Sequence, residues 1–553
     1  MDTQTKQCQN CKNDFIIEPD DFTFYEKMKV PAPVNCPRCR FQWRALWRNE
    51  MHLYNRKCDL CKKSILAMYH PNLPYTVYCQ ECWLSDKWDP ADYNQDYDPK
   101  LPFFDQMGDL LLKVPKAGIF ISSDSGPVIN TEYANFAGGL KDCYLVFNSG
   151  PDENCAYSRG IASCRDVFDG YYGVKVDNGY EIINVHNSTN VIYAQNAYDC
   201  IDCGYIYNCF GCHDCFGCIN LRHKSYYFLN QPLSKEDYRK KISEIKGGYA
   251  EMEAFKKEFE KLVLRIPHRE NNNLKSVNSS GEYIFDSKNC NDSFEASCCE
   301  DSRYLFSNKY VKDCYDLLGH GRNSELLLDN VAVGTSRNVI GSWWTITSSD
   351  IFYSFGLRSC EKCFGCDSLR NARFCILNKQ YSEEEYNKII DVIISELKEK
   401  NLFGLYFPPQ MAPFAYNETI GQDNFPLTKD EAQKLGYRWQ DNLQITTGKE
   451  TLKEISNHID NIKDSITSEI LACQSCGRNY KIIQQELQFY KKMNLPIPRK
   501  CFFCRHANRL KLRGPVEIFD RVCAKCQKPI KTTYPPDRPE IIYCEQCYQQ
   551  EIA

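Results

Sequence analysis

The chain of 553 residues contains no run of eighteen apolar residues, the shortest stretch that would suggest a membrane-spanning helix. Its first residues, MDTQTKQCQN, lack the basic region and apolar core of a secretory signal, and they do not resemble a transit peptide. The GxSxG, HExxH, phosphate-loop and GxGxxG motifs are also missing, and the nine histidines are scattered. We therefore expect a cytoplasmic protein without membrane contact, and a non-enzymatic function is favoured.

Cysteine, in contrast, is abundant, and sixteen of the 33 cysteines form two copies of one pattern. Each copy contains four CxxC pairs, and adding 465 to any N-terminal position gives its C-terminal partner without a gap. The sixteen residues are Cys8, Cys11, Cys36, Cys39, Cys58, Cys61, Cys79, Cys82, Cys473, Cys476, Cys501, Cys504, Cys523, Cys526, Cys544 and Cys547.

The spacing of these cysteines indicates metal binding. A CxxC pair places two thiolates on one tight turn, and two pairs complete a tetrahedral sulfur shell that suits zinc. The loops between pairs contain 24 or 17 residues, near the spacing of zinc ribbons. Disulfides are disfavoured because the many further cysteines indicate a reducing compartment, and a redox-active pair would need a thioredoxin-like context. We predict four zinc sites, with iron as the minor alternative.

The C-terminal copy resembles a known family. The stretch Cys473–Arg505, with CxxCG followed by LQFYKKMNLPIPRKCFFCR, is similar to the probable zinc-ribbon domain of uncharacterised bacterial proteins. The CxxC-x17-CxxC unit at Cys523–Cys547 resembles the small zinc domain that often accompanies it. The N-terminal copy departs from the pattern at Lys12, where the C-terminal copy has Gly477. The resemblance covers the two terminal modules and implies zinc binding.

Short apolar and aromatic runs recur between residues 131 and 380 in steps of about ten to thirteen residues, separated by Asn, Asp, Gly and Ser. Such runs fit a sandwich, a barrel or a β-solenoid, and the recurrence of the same residue types at the same place favours the solenoid. If two runs form one coil, the coil has about 24 residues. The middle is itself duplicated at an offset of 148, and each half continues into a helix that begins at Ser234 or Ser382.

The predicted fold is therefore multidomain and mainly β, with duplicated terminal double zinc-ribbon modules flanking a duplicated β-solenoid-like middle with capping helices. We also expect an amphipathic helix from Lys449 to Leu471, where isoleucines recur at helical spacing. The expected divisions are a module at 1–90, a linker at 91–130, a first β-repeat half at 131–232, a helical cap at 233–272, a second half at 273–380, a helical and Pro/aromatic spacer at 381–470 and a module at 471–553.

The middle cysteines allow two interpretations. The run Cys200–Cys218 resembles a metal-binding motif when taken alone. Its members Cys200 and Cys212 differ by twelve residues, which is the local repeat, so small buried side chains stacked in ladders are favoured. A copied run at Cys360–Cys366 keeps the metal alternative open.

Charge is distributed unevenly along the chain, whose net charge is −4. Residues 471–553 contain fifteen Lys and Arg against seven Asp and Glu, whereas residues 1–90 contain thirteen against eleven. A basic module beside an acidic middle favours contact with a polyanion. Alternatively, the cations offset the charge of about −2 on each zinc–tetrathiolate centre. Only the C-terminal module keeps a clearly positive net charge once the charge of its two zinc–tetrathiolate centres is included.

These features favour nucleic-acid binding, to RNA or DNA, by the C-terminal module. Its cations alternate with aromatic residues, as stacking on single-stranded bases would need. The first alternative is a scaffold that binds protein partners, and the second is a β-helix enzyme acting on carbohydrate. The candidate nucleic-acid contacts are Lys491, Lys492, Arg499, Lys500, Arg505, Arg509, Lys511, Arg513 and Arg521.

Overall fold

The computed structural model describes residues 2–122 and 126–552, and the chain divides into two compact units. The first unit contains Met1–Ile119 and Asn271–Asp441, and the second contains Phe120–Glu270 and Asn442–Ala553. Each unit therefore combines one terminal cysteine module with the repeat half that is more distant in sequence. The N-terminal module belongs with the second half, and the C-terminal module belongs with the first.

The N-terminal module is built from short hairpins, each followed by a helix. Its elements and the segment after it are β1 (Gln4–Gln7), β2 (Asp14–Ile17), α1 (Pro19–Lys27), α2 (Pro37–Ala45), β3 (Tyr54–Lys57), β4 (Ser64–Ala67), β5 (Val77–Tyr78), α3 (Gln80–Leu84), α4 (Phe103–Lys113) and β6 (Lys116–Ala117). Strand β1 pairs antiparallel with β2, and β3 with β4. Each hairpin turn carries a CxxC pair, and the residue after it, Lys12 or Lys62, has a left-handed backbone with φ near 65° or 64°.

The first repeat half is a ten-stranded, largely parallel sheet followed by two helices. Its elements are β7 (Ala134–Asn135), β8 (Leu140–Lys141), β9 (Tyr144–Phe147), β10 (Asp152–Glu153), β11 (Ala156–Arg159), β12 (Cys164–Tyr198), β13 (Ile201–Tyr207), β14 (His213–Ile219), β15 (Ser225–Phe228), β16 (Gln231–Pro232), α5 (Lys235–Ile245) and α6 (Tyr249–Val263). The short strand β17 (His268–Arg269) follows and pairs outside this sheet, with Ile542 and Tyr543. The side chain of Ser234 caps α5, as predicted, and the chain breaks at Gly247 before α6 begins.

The second repeat half is an eleven-stranded sheet of the same kind. Its elements are β18 (Gly281–Phe285), β19 (Lys288–Asn291), β20 (Ser293–Ser297), β21 (Glu300–Lys309), β22 (Val311–His320), β23 (Ser324–Val331), β24 (Arg337–Ile340), β25 (Ser349–Phe352), β26 (Glu361–Phe364), β27 (Arg373–Ile376), β28 (Lys379–Gln380) and α7 (Glu383–Glu399). Ser382 and Glu385 form the predicted capping box at the start of α7.

The C-terminal module repeats the hairpin-and-helix plan of the N-terminal one. The remaining elements are α8 (Ile420–Asn424), α9 (Lys429–Lys434), β29 (Leu471–Ala472), β30 (Asn479–Tyr480), α10 (Gln484–Met493), α11 (Phe502–Arg513), β31 (Phe519–Val522), β32 (Pro529–Thr532), β33 (Ile542–Tyr543) and α12 (Glu545–Ile552). Gly477 and Gln527 take the left-handed position after the two hairpin CxxC pairs, with φ near 71° and 61°. Gly477 and its counterpart Lys12 therefore share one left-handed backbone conformation, which glycine adopts without steric cost.

The predicted helix between Lys449 and Leu471 is wrong. The segment contains only short 3₁₀ turns at Ile459–Asn461 and Asp464–Ser468. The backbone of this segment forms hydrogen bonds with residues at the break between α5 and α6. The amide of Ile459 donates to the carbonyl of Gly247, and the carbonyl of Asn457 accepts from the amide of Tyr249. Ile459, Ile462 and Ile466 are buried, whereas Ile455 and Ile470 are half-buried. Tertiary pairing therefore replaced the helical ladder.

Neighbouring strands of both sheets pair in parallel at a regular distance along the chain, except for the last strand of each sheet, β16 or β28, which pairs antiparallel. Ile206 pairs with Cys218, and Cys363 pairs with Cys375, a step of twelve residues. One insertion lengthens the step to thirteen between β22 and β23. Each run therefore pairs with the next run along the chain. The structural repeat is one run of about twelve residues, and the expected repeat of about 24 residues, made of two runs, is wrong.

Left-handed residues recur at every third position through both repeat halves. Asn and Asp tolerate this conformation better than most residues, which explains their frequency between the apolar runs. Several of them bond to their equivalents twelve residues away: the amide of Asn184 donates to Asn196 at 2.9 Å, and that of Asn208 donates to Asn220 at 2.9 Å. These ladders hold successive runs in register.

No helix in the described ranges 2–122 and 126–552 is both long enough and apolar enough to cross a membrane.

Candidate metal centres

The sixteen terminal cysteines come together as four quartets. In each quartet the four Sγ atoms all lie within 4.8 Å of one another. The quartets are Cys8, Cys11, Cys36 and Cys39; Cys58, Cys61, Cys79 and Cys82; Cys473, Cys476, Cys501 and Cys504; and Cys523, Cys526, Cys544 and Cys547.

The sulfur separations fit a tetrahedral ion. The Sγ atoms of Cys11 and Cys36 are 3.7 Å apart, and those of Cys61 and Cys79 are 3.8 Å apart. The C-terminal quartets also contain 3.8 Å pairs. Four sulfurs at about 2.3 Å from one ion would be separated by about 3.8 Å, whereas a disulfide requires about 2.05 Å. All sixteen are free thiols, so each quartet could hold a metal ion.

Each quartet combines a hairpin turn with the first turn of a helix. Cys36 is the N-cap of α2, Cys79 the N-cap of α3 and Cys501 the N-cap of α11, while Cys544 directly precedes α12. A helix N-terminus favours negative charge, because its first amides are unpaired and its dipole is positive there. This placement supports thiolates, the form in which cysteine binds metal.

Backbone amides reinforce this preference on the first cysteine of several quartets. The amide of Cys79 donates to Cys58 Sγ at 3.2 Å. Burial opposes ionisation of Cys58, but the amides of Cys61, Cys79 and Leu60 outweigh it and lower its pKa to about 6. Similar amide bonds lower the pKa of Cys473 and Cys523 to about 6 against the effect of burial. One thiol in each of these three quartets is thus readily ionised, and a bound ion would displace protons from the rest.

The arginines of α11 attach the C-terminal module to the first repeat half. Nε of Arg505 lies 3.0 Å from Oδ1 of Asp169, and Nη1 of Arg509 lies 2.8 Å from the same oxygen. Nη1 of Arg509 also lies 3.0 Å from Oε2 of Glu181, one twelve-residue step along the sheet. Arg505, Arg509 and Asp169 are at most 5% exposed. These guanidinium groups are committed to contacts inside the protein.

The first unit contains the same arrangement. Nε of Arg40 lies 3.0 Å from Oδ2 of Asp316, Nη2 of Arg44 lies 3.1 Å from Oδ1 of Asp316, and Arg44 also pairs with Asp329. The rings nearby correspond as well. Phe24 stacks on Tyr315 at 3.9 Å between centroids in the first unit, and Phe489 stacks on Phe168 at 4.3 Å in the second. Two separately encoded copies thus dock by one set of contacts.

Most of the other predicted nucleic-acid contacts also have partners within the second unit. Lys491 pairs with Asp464 and Lys492 with Asp166. Carbonyl oxygens accept from Arg499 and Arg521, and the hydroxyl of Tyr171 accepts from Arg513. Lys500 lines a cavity, and Lys511 is exposed. The structure therefore does not assemble the nine cations on one open surface.

Sequence patterns carried a signal for this docking. Asp169 and Asp316 are equivalent residues of the duplicated middle, as are Glu181 and Asp329. Acids repeated in the middle, together with arginines repeated at an offset of 465 in the modules, could have indicated paired surfaces. The pairing itself was hidden, because the partners are more than 270 residues apart.

Apart from Cys298, which is half-buried, the middle cysteines lie in the cores of the repeat halves, where they form hydrogen-bonded ladders. Sγ of Cys200 lies 3.4 Å from the carbonyl oxygen of Tyr198 and 3.5 Å from that of Cys209, two residues back and nine ahead. Ser336 makes the equivalent bonds in the second half through its hydroxyl. Within residues 2–122 and 126–552, the four terminal quartets are the groups found to be compact enough for a metal ion.

Comparison of the chain with protein-family models and with curated proteins finds no match. The resemblance of the terminal modules to zinc ribbons therefore stays a prediction that rests on their own motifs and geometry.

We expect four metal ions per chain, held only by the terminal quartets. The double variant C200S/C203S should keep four ions, because serine already performs the same hydrogen bonding elsewhere in the ladders. The variant C473S should lose one ion, since three sulfurs leave the tetrahedral shell open. Native mass spectrometry of freshly reduced protein measures both counts. A fifth ion in the wild type, or an ion lost from C200S/C203S, would contradict the assignment.

We expect Asp169→Asn to release the C-terminal module from its repeat half without releasing metal. The change removes the carboxylate that Arg505 and Arg509 share and leaves Glu486 beside Arg505 and Glu181 beside Arg509. Breaking a buried ion pair from one side costs up to about 3–5 kcal/mol. Hydrogen exchange should accelerate across α11 while the ion count stays at four. The matched control is Asp177→Asn, whose exposed pair with Arg165 contributes less than about 1 kcal/mol. Unchanged exchange of α11 in D169N would show that the ion pairs do not hold the module.

Proposed function

We propose that the protein is a non-enzymatic, zinc-dependent scaffold that binds protein partners. In this proposal the four quartets hold zinc, and each repeat half is a β-solenoid whose coils contain about twelve residues. The parallel pairing at a twelve-residue step supports the solenoid, and the sulfur separations support zinc over a disulfide framework.

The observation that carries the proposal is the burial of the module arginines. Arg505 and Arg509 would be the strongest phosphate ligands of the C-terminal module if they were exposed. They are instead occupied by Asp169 and Glu181. In this proposal the metal shapes a module that packs on its repeat half, and partner proteins bind to the solvent-exposed faces of the repeat halves.

Those outer faces carry charges of alternating sign. Lys141 pairs with Glu153 at 2.5 Å, and Arg165 pairs with Asp177 at 2.5 Å, at successive twelve-residue steps. The second half has the same alternation of charge between residues 288 and 373. Its ion pairs are Lys312–Glu300 at 3.8 Å, Arg337–Glu325 at 3.9 Å and Arg373–Glu361 at 3.1 Å. A row that is nearly neutral over every two steps suits a protein surface of mixed charge, whereas a nucleic-acid backbone needs a continuous cationic track.

Nucleic-acid binding by the C-terminal module is the second candidate. It rests on the side chains of that module that keep no ion-pair partner in the described ranges, chiefly Lys500 and Lys511. Because such binding depends on phosphate neutralisation, it would weaken steeply with salt.

The test captures partners on the full-length, zinc-loaded protein with and without nuclease treatment. The scaffold proposal predicts that a captured protein binds directly once purified, that binding survives nuclease, and that reversing the charge row by K141E/R165E weakens it at least tenfold. The control Lys511→Gln should have no effect. Loss of capture on nuclease treatment, together with direct RNA or DNA binding that falls in K511Q, would replace the scaffold with the nucleic-acid function.

A further inference from the structure

The second unit contains a cavity of about 520 Å³ between the first repeat half, helix α6 and the C-terminal module. Its volume lies within the range of about 300–1,000 Å³ that holds small organic ligands. It is separate from the metal quartets, and none of the sixteen ligand cysteines lines it.

In the first unit, the space that corresponds to this cavity is filled by protein. There the residues equivalent to Glu181 and Tyr205 are Asp329 and Tyr353. Asp329 accepts a hydrogen bond from the backbone of Tyr406, and the hydroxyl of Tyr353 accepts one from Gly404. The segment 402–407 thus occupies the space beside this acid and this ring, whereas Glu181 and Tyr205 line the open cavity.

A second difference adds an aromatic wall to the cavity. Tyr193 corresponds to Gly341, where a side chain would collide with the ring of Tyr353 at 2.7 Å. In the second unit Tyr193 stacks on Tyr205 with centroids 4.5 Å apart and planes 9° apart, and Tyr180 meets it edge-on at 5.5 Å. Tyr193 is half-buried and lines the cavity, so its side chain is partly exposed to the cavity on the side that Tyr205 does not cover.

Cations face the same cavity from two elements. Lys256 on α6 and Lys500 in the module both line it, and neither forms an ion pair within residues 2–122 and 126–552. The guanidinium of Arg499 lies 4.8 Å from the ring centroid of Tyr249 at its border, and Nη1 has no hydrogen-bond partner in those ranges. Glu253 and Glu260 on α6 also line the cavity and offer acceptors for amino or hydroxyl groups, while Glu540 at its wall pairs with Arg538. Lys256, Lys500 and Arg499 outnumber these two acids, so an aromatic wall beside cations favours a planar, anionic ligand that also carries hydrogen-bond donors.

We propose that this cavity binds a mononucleotide, with the base stacked on Tyr193 and the phosphate held by Lys256 and Lys500. Base stacking on an aromatic side chain contributes about 1–3 kcal/mol, and a hydrogen bond to a charged group contributes about 1.5–3 kcal/mol. The site goes beyond the scaffold function and does not depend on it, because its residues lie away from the outer charge rows.

The test is calorimetric titration of the full-length, zinc-loaded protein with adenosine and guanosine monophosphates, adenosine, inorganic phosphate and a short single-stranded oligonucleotide. We expect one monophosphate to bind one per chain, and adenosine to bind at least tenfold more weakly. Tyr193→Ala should weaken the monophosphate about tenfold or more, whereas Tyr193→Phe should bind within about threefold of wild type because the ring remains.

Lysine variants separate the phosphate contacts from general charge. Lys256→Gln and Lys500→Gln should each weaken the monophosphate about tenfold and leave adenosine unchanged, while the control Lys511→Gln should change neither. Unaltered ion count and melting temperature in every variant show that folding is intact. Absence of monophosphate binding, equal affinity for phosphate alone, binding of the oligonucleotide only, or indifference to Tyr193→Ala would each overturn the proposal.

Discussion

Sulfur at the start of a helix determines where the docking arginines point. Cys36 and Cys501 cap α2 and α11, so an ion held by either quartet would fix the first turn of that helix relative to its hairpin. The arginines follow four and eight residues later, on one face of the helix. A module of about ninety residues is small for an independent core, and a bound metal ion would add folding free energy to it.

The docking contact exists in two independent copies, which makes it the best-supported interaction outside the quartets. The modules repeat at an offset of 465, while the acids that receive them repeat at 147 and 148. The two offsets relate different parts of the chain. Even so, Nε of the arginine lies 3.0 Å from a carboxylate oxygen in both Arg40–Asp316 and Arg505–Asp169. Buried ion pairs are costly to break from one side, so this contact specifies which surface each module occupies. The same duplication identifies the open cavity of the second unit, because the first unit fills the corresponding space.

Much of this arrangement could be predicted from spacing alone, since local chemistry determines it. The CxxC register indicated which sulfurs would gather, and Ser382 with Glu385 indicated where α7 begins. The prediction of a helix at 449–471 failed because its backbone groups bond to Gly247 and Tyr249, at the break between α5 and α6. Hydrophobic periodicity carries no information about such tertiary partners. The cations of the C-terminal module had the composition of a polyanion-binding surface, but the acids that occupy Arg505 and Arg509 lie more than 320 residues away. The combination of each module with the more distant repeat half could not be read from the sequence either.

If two zinc ions, each inside a shell of four sulfurs, shape each module, X-ray absorption at the zinc edge of the purified, reduced protein should reveal that shell. We expect zinc with four sulfur neighbours at about 2.3 Å and no nitrogen or oxygen neighbour, averaged over four ions per chain. A shell containing nitrogen or oxygen ligands, or an iron signal in place of zinc, would contradict it.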